Sequence, residues 1–324
     1  MTASNPRSNF PNGFMNGLIV RGMPILQAQP GSTKWVYNGT ALGRGQIGGS
    51  DSNRGTYDAP YATLNFAISQ CKANRGDTIM VKPGHAETIS SATALNFSTA
   101  GVAIVGLGSG TSAPKFTLDT ANTATIPVSA DNISIQNIQF FANFLSIAAC
   151  FTMTTAKQFS VTNCVFKDTS SILNFLNIIK STGIANTVDG LTFSDNTVIN
   201  LGVTSNNTTV LSANDIDSFT AQRNYLKWAV QNNVAILAII TAGVLTNLVC
   251  TDNLCYRPNT TTAGGSLINV GGTTSTGIVA NNKVQTLTTT TDLLITTTVG
   301  LAFFDNRVTG VVGASGFLIP TADS

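Results

Sequence analysis

The sequence predicts an all-β protein wound as a solenoid of short parallel strands, and three observations lead there. Charged residues make up only 10% of the 324 positions, against about 25% in an average soluble domain. Hydrophobic residues hold an ordinary 43%, and Thr, Asn, Ser and 29 Gly replace the missing charge. A short motif of alternating apolar residues, closed by Asn or Asp-Asn, then returns along the chain, which marks a repeat architecture. Disorder does not fit, because disordered chains are rich in charge and poor in β-branched residues. A helical bundle does not fit either, since Glu87 is the one glutamate. A net charge of +2 lacks the broad basic surface of a general nucleic-acid binder.

Residues 1–48 predict an extended arm. They hold Arg7, Arg21, Lys34 and Arg44, no acidic residue, and four prolines, which break regular structure. A mobile leader is one reading. Docking on a partner or a sister subunit is the other, because Phe10, Phe14, Ile25, Leu26 and Trp35 need a surface to bury against. The unopposed Arg7, Arg21 and Lys34 suit an acidic partner face. The first residues lack the apolar core of a secretory signal. The apolar stretch Val234 to Leu245 falls short of the ~20 residues of a transmembrane helix, so no membrane partner is expected. Five cysteines, an odd count without close pairs, read as buried thiols.

A domain over residues 49–324 follows. Residues 60–71 predict a short helix, with Leu64, Ala67, Ile68 and Cys71 on one face. Thr78 to Lys82 predicts the first strand. Asn132–Phe140, Gln158–Phe166, Gly190–Val198, Ser218–Leu226, Asn247–Cys255 and Gly300–Val308 then align without gaps, and Gly277–Val284 aligns with one deletion. Their first apolar residues, from Val102 through Ile278 to Leu301, lie 23 to 32 residues apart. Period-two alternation means a strand with one face buried. Asn137, Asn163, Asn196, Asn224, Asn253 and Asn306 are expected at sharp corners in the left-handed conformation.

A second apolar segment falls between most copies, as in Leu176–Lys180, Val234–Ile240, Ser266–Val270, Asp292–Ile295 and Gly316–Ile319. Each repeat therefore holds two or three strands, and stacked turns pair in parallel about 4.8 Å apart. Eight turns would make a shaft of about 40 Å. A β-sandwich would instead need two-residue turns at roughly 8–12-residue spacing, and Asp189-Gly190 is an isolated case.

The stretch Gly49 to Cys71, leading into Gly76-Asp-Thr-Ile-Met-Val-Lys-Pro-Gly-His-Ala-Glu-Thr-Ile89, resembles the opening of right-handed parallel β-helix proteins of the pectate-lyase-like superfamily. In those proteins a short helix caps the first turn, and a strand ending in Pro-Gly starts the coil. The pattern over roughly residues 49–320, with its basic arm, is most similar to β-helical structural proteins of tailed-bacteriophage virions. The resemblance implies a right-handed coil and threefold self-association.

Catalytic chemistry is sparse in the sequence. A glycosidase needs two carboxylates roughly 5–9.5 Å apart. Asp195, Asp252 and Asp305 share one register beside the corner Asn, which suits turn chemistry. Asp215 and Asp217 are the one close pair outside it, and Asp189 stands alone. The superfamily's lyase chemistry implies an Asp cluster for calcium plus a base, and none is visible. His85, the single histidine, reads as a solvated turn residue. Gly106–Gly110 lacks the Lys of a phosphate loop. No catalytic residue, cofactor or metal is expected.

From Trp228 to Ser324 there are three basic and four acidic residues, and Val234–Ile240 is apolar at consecutive positions. Such surfaces call for cover, and closed homo-oligomers supply it. Taken with the phage resemblance, which implies the virion setting and the homotrimer, this leads to the expectation of a non-enzymatic virion protein on the capsid surface, a decoration or cement protein. Its arm would grip the major capsid protein, and no nucleic acid would be bound. The alternative is a phage tail spike or fibre that binds, and can cleave, host surface glycan. A host-encoded glycan-active enzyme is a third reading.

Overall fold

Period-two alternation in three stretches of each repeat gives three strands per turn, and the turns stack into a parallel β-helix. The computed structural model describes residues 18–20, 23–25, 31–41, 43, 45–182, 187–201, 209–229, 235–240, 243–257, 266–270, 274–286, 300–309 and 316–317. Two sheets of ten strands and one of six run along the coil. The first sheet extends from Thr33–Val36 and Thr78–Val81 to Leu301–Phe304. The second starts at Ala86–Ile89 and continues in parallel to Arg307–Thr309. The third holds Ile126–Val128, Phe151–Met153, Asn177–Ser181, Thr209–Ala213, Ala235–Ile240 and Ser266–Val270. Six turns therefore carry all three strands among the described residues.

Each sheet turns one column of side chains inward. Ile79, Ile104, Ile135, Val161, Phe193 and Ala221 stack in the first sheet, all buried. In the second, Phe116, Phe140 and Phe166 stack with ring centroids 5.9 and 5.2 Å apart. Phe151 of the third sheet meets Phe140 edge-on at 5.1 Å. Burial of each such side chain stabilises the fold by about 1.5–3 kcal/mol, so the aromatic stack is the middle of the core.

The consecutive apolar residues of the third sheet do not point to water. Ile178 and Ile179, Val210 and Leu211, Leu237 and Ala238, and Leu267 and Ile268 are all buried within the single chain. The pairing is irregular there, with a register shift between Ala235 and Ala238. Ile178 lies with Phe166, Phe175, Val198 and Trp228 around a small internal cavity. These doublets therefore need no second subunit to cover them. The predicted strand at Gly316 pairs antiparallel with Arg307–Thr309 in the second sheet, through Gly316–Phe317. Asp292–Ile295 lies outside the described residues.

The coil begins earlier than the composition break at residue 48 suggests. Thr33–Val36 pairs in register with Thr78–Val81, so Lys34 and Trp35 belong to the first rung. Trp35 packs edge-on against Tyr57 at 4.9 Å, which gives it an intramolecular surface. A four-residue strand is too short to stand out by periodicity. Arg7, Phe10, Phe14, Arg21 and Leu26 lie outside the described residues, and Ile25 ends a hairpin of Leu18–Val20 with Met23–Ile25.

The capping helix spans Leu64–Ser69, shorter than the predicted 60–71, and Leu64, Ala67 and Ile68 face the first rung. Thr63 caps it by accepting from Phe66 N at 3.2 Å. Asp51 in turn accepts from Ala62 N and Thr63 N, both at 2.9 Å. His85 is buried here, not solvated. Its Nδ1 accepts from Asn38 N at 3.2 Å, which leaves Nε2–H to donate to Glu87 Oε2 at 3.1 Å. Glu87 also accepts from Leu64 N at 3.1 Å. The lone histidine and the lone glutamate thus tie the helix to the coil.

Candidate functional site

The corner between the first and second sheets builds the site. Asn137, Asn163, Asp195, Arg223, Asp252, Asn281 and Asp305 occupy one column there, with φ between 48° and 59°. The next residue in each turn points inward. Asn196, Asn224, Asn253, Asn282 and Asn306 form a buried ladder at that inner position. Each ladder side chain accepts from the backbone N–H of the turn before it, as Asn253 Oδ1 does from Asn224 N at 3.0 Å. Each also donates to a carbonyl of the first sheet, as Asn253 Nδ2 does to Ala221 O at 2.9 Å.

The predicted corner asparagines therefore divide into two classes. Asn137 and Asn163 are left-handed corner residues. Asn196, Asn224, Asn253 and Asn306 are not; the residue before each takes the left-handed conformation. The one-residue deletion also falls elsewhere. Gly277 pairs with Leu248, so Ile278 aligns with Val249 and stands 46% exposed.

Pointing the ladder inward leaves the preceding residue at the surface. Arg223 donates through Nε and Nη2 to Asp195 at 2.7 Å each, and this guanidinium holds the Asp195 carboxyl below its usual range. Beyond Arg223 the column continues as Asp252, Asn281 and Asp305. Asp252 N donates to Ala280 O and Asn281 N to Phe304 O, so these three sit in register. Two rungs separate the carboxylates, about 9.6 Å along the axis.

Two residues on from the corner, the first outward position of the second sheet adds Leu254, Lys283 and Arg307. Together with Asp252, Asn281 and Asp305 these line an open groove of about 560 Å³. Neither carboxylate is in an ion pair among the described residues. Two exposed acids and two cations on an open groove can orient a hydroxyl-rich chain, and can give or take protons beside it. The sequence signal was present: Asn282-Lys283 and Asp305-Asn306-Arg307 each place a cation just after the corner.

The other acids are committed to structure. Asp217 accepts from Thr246 Oγ1 at 2.5 Å and Asn247 Nδ2 at 2.7 Å, and these donors hold its carboxyl below the usual range. Asp215 accepts from Val244 N at 2.5 Å. A depressed, donor-saturated carboxylate is the opposite of a general acid, so this pair is not an acid–base pair. Asp189 accepts from Lys157 Nζ at 3.0 Å and from Asp217 N at 3.1 Å. Among the described residues no three His, Cys, Asp or Glu side chains gather where they could hold a metal ion.

No protein-family model matches the chain, and no curated protein matches it by sequence. Solved structures do. A rhamnogalacturonan lyase superimposes with a TM-score of 0.57 at 15% identity, over 86% of this chain and 74% of that one. A pectin methylesterase from Aspergillus niger gives 0.48 at 12% identity, over 85% and 88%. The tailspike protein of E. coli bacteriophage HK620, solved in complex with a hexasaccharide, gives 0.41 at 12%, over 79% and 54%.

At these identities the likeness is one of fold, and the lyase carries it. A parallel β-helix with pectate-lyase-like and phage tailspike neighbours is what the chain is similar to. The expectation of a non-enzymatic protein is thereby corrected. A solved structure with this architecture is a lyase, so scarce acids do not by themselves make the coil inert.

Proposed function

We propose that this chain binds a polysaccharide along the corner between its first and second sheets and cleaves it in the groove between Asp252 and Asp305. The observation that carries this reading is the groove itself. Two exposed carboxylates stand two rungs apart, with Lys283 and Arg307 beside them. Two rungs, about 9.6 Å of backbone rise along the axis, put the two carboxylates at the wide end of the inverting spacing, which leaves room for a water. One carboxylic acid protonates the glycosidic oxygen as its bond to the anomeric carbon breaks. The other carboxylate takes a proton from water as the water oxygen bonds to that carbon. Lys283 and Arg307 orient ring hydroxyls or acidic groups beside the scissile bond.

This reading replaces the capsid-decoration role expected from the sequence. A virion setting is proposed with it in the form of the alternative, a phage spike or fibre that engages host surface glycan. The fold shared with the lyase supports a glycan ligand.

The test incubates the full chain with a panel of bacterial-envelope and plant cell-wall polysaccharides and measures new reducing ends and chain length. Asp252→Asn and Asp305→Asn should each lower the cleavage rate by about 10²-fold or more. Cleavage that survives both substitutions would remove the groove from the reaction.

A further inference from the structure

The strands of the second sheet end on an inward column that changes character halfway along the coil. Ile89, Leu118 and Ala142 open it, all fully buried. The next three turns place Asp168, Asn200 and Trp228 in the same column. Each of these is 3% exposed or less. A buried polar group costs free energy unless it is hydrogen-bonded, so the partners of each atom decide what the column can hold.

Asp168 is satisfied. Its Oδ1 accepts from Phe175 N at 3.0 Å, and its Oδ2 accepts from Asn200 Nδ2 at 3.0 Å and from Leu201 N at 2.9 Å. An ionised carboxylate only accepts, so it fixes the Asn200 amide with Nδ2 toward Asp168 and Oδ1 turned away. Asn200 Oδ1 and Trp228 Nε1 are both buried, and neither makes a hydrogen bond among the described residues. The two residues pair on adjacent rungs. Both line one small internal cavity, together with Asp168 and Thr209. Phe166, Phe175, Ile178 and Val198 supply apolar walls. A stranded donor and a stranded acceptor therefore share one interior space.

We infer that this cavity is a binding site for a single water molecule, which accepts from Trp228 Nε1 and donates to Asn200 Oδ1. The inference does not depend on the glycan reading. An indole N–H only donates, and an amide oxygen only accepts. The ligand must do both at once, as water does. A metal ion or ammonium would confront the indole N–H, and an anion would confront the Asp168 carboxylate. Size makes the same choice. The centre of a water-sized sphere has about 10 Å³ to occupy, the lower end of what one water needs. The bound water joins two side chains on successive rungs that do not bond directly. It completes the polar network that holds the chain as it leaves the second sheet at Leu201. The earlier turns, with Leu118 and Ala142 in this column, offer no such pair.

Two measurements on the full chain test this. A crystal structure fine enough to show ordered water should place one spherical density peak about 2.7–3.2 Å from both Trp228 Nε1 and Asn200 Oδ1. In solution, the chain has two tryptophans, so Trp35→Phe leaves Trp228 as the single indole resonance. That indole proton should show a rotating-frame cross-peak to water with the sign of dipolar contact, not of proton exchange. Three crystallographic results would overturn the inference: no density at the site, an anomalous signal there after soaking in a rubidium salt, or the indole nitrogen bonded directly to a protein acceptor. A resolved Trp228 indole resonance without the dipolar cross-peak would overturn it as well.

Discussion

Replacing Asn253 by Ala should destabilise the protein far more than changing Asn163, although the same repeat motif holds both. Asn253 is 1% exposed. Its Oδ1 accepts from Asn224 N at 3.0 Å and Asn224 Nδ2 at 2.9 Å. Its Nδ2 donates to Ala221 O and to Asn282 Oδ1, both at 2.9 Å. Truncation strips partners from two buried backbone groups, Asn224 N–H and Ala221 C=O. At about 1–3 kcal/mol for each stranded group, the cost is about 2–6 kcal/mol. That is a large part of a net stability of about 5–15 kcal/mol. Asn163 is exposed with φ 51°, a backbone conformation that glycine adopts freely. Asn163→Gly should therefore change stability by no more than about 1 kcal/mol. Urea denaturation followed by tryptophan fluorescence measures both, compared by midpoint at unchanged slope. Equal losses, or a loss below about 1 kcal/mol for Asn253→Ala, would refute the division of these asparagines into a ladder and a corner.

Two further outcomes follow from buried groups. Asp77 has no exposed side-chain surface and accepts from Arg75 Nε and Nη2 at 2.7 and 2.6 Å and from Lys72 N at 2.7 Å. Its carboxyl is held well below the usual range, first by the Arg75 hydrogen bonds. A depressed folded-state pKa contributes stability above the unfolded value near 3.9, which is lost as pH falls through the folded value. Thermal unfolding should therefore show full stability above about pH 5 and a decline below about pH 4. Asp77→Asn should lower the midpoint at neutral pH and flatten that acid limb; an unchanged limb would show that other carboxylates carry it. The thiols of Cys164 and Cys250 are pushed up to about 12 by burial, and Cys71 to about 11. A thiol reagent at pH 8 should find no fast-reacting group among these three before unfolding, and rapid labelling in the native protein would contradict that burial.

Much of the fold was legible because a solenoid writes its pattern locally. Alternation around Ile135, Val161 and Phe193 specifies strands with one wet face, and their return every 23 to 32 residues specifies stacking. The helix face Leu64, Ala67 and Ile68 was legible for the same reason. The unequal repeat lengths hid the register. Nothing local says that Asn163 aligns with Asp195 and not with Asn196, and a slip of one residue exchanges the corner with the core. Burial of the apolar doublets, as at Ile178 and Ile179, was hidden likewise, since consecutive apolar residues look two-faced until a strand irregularity turns both inward.

The sequence by itself determined the coil of short strands and its need for a cap, because short-range alternation and turn residues fix these without reference to distant parts of the chain. Only the tertiary structure decided which residues share a column. Asp252 and Asp305, 53 positions apart, meet on one groove because parallel pairing stacks each turn on the last. That register is set by hydrogen bonds between turns, which no stretch of sequence shorter than a turn contains.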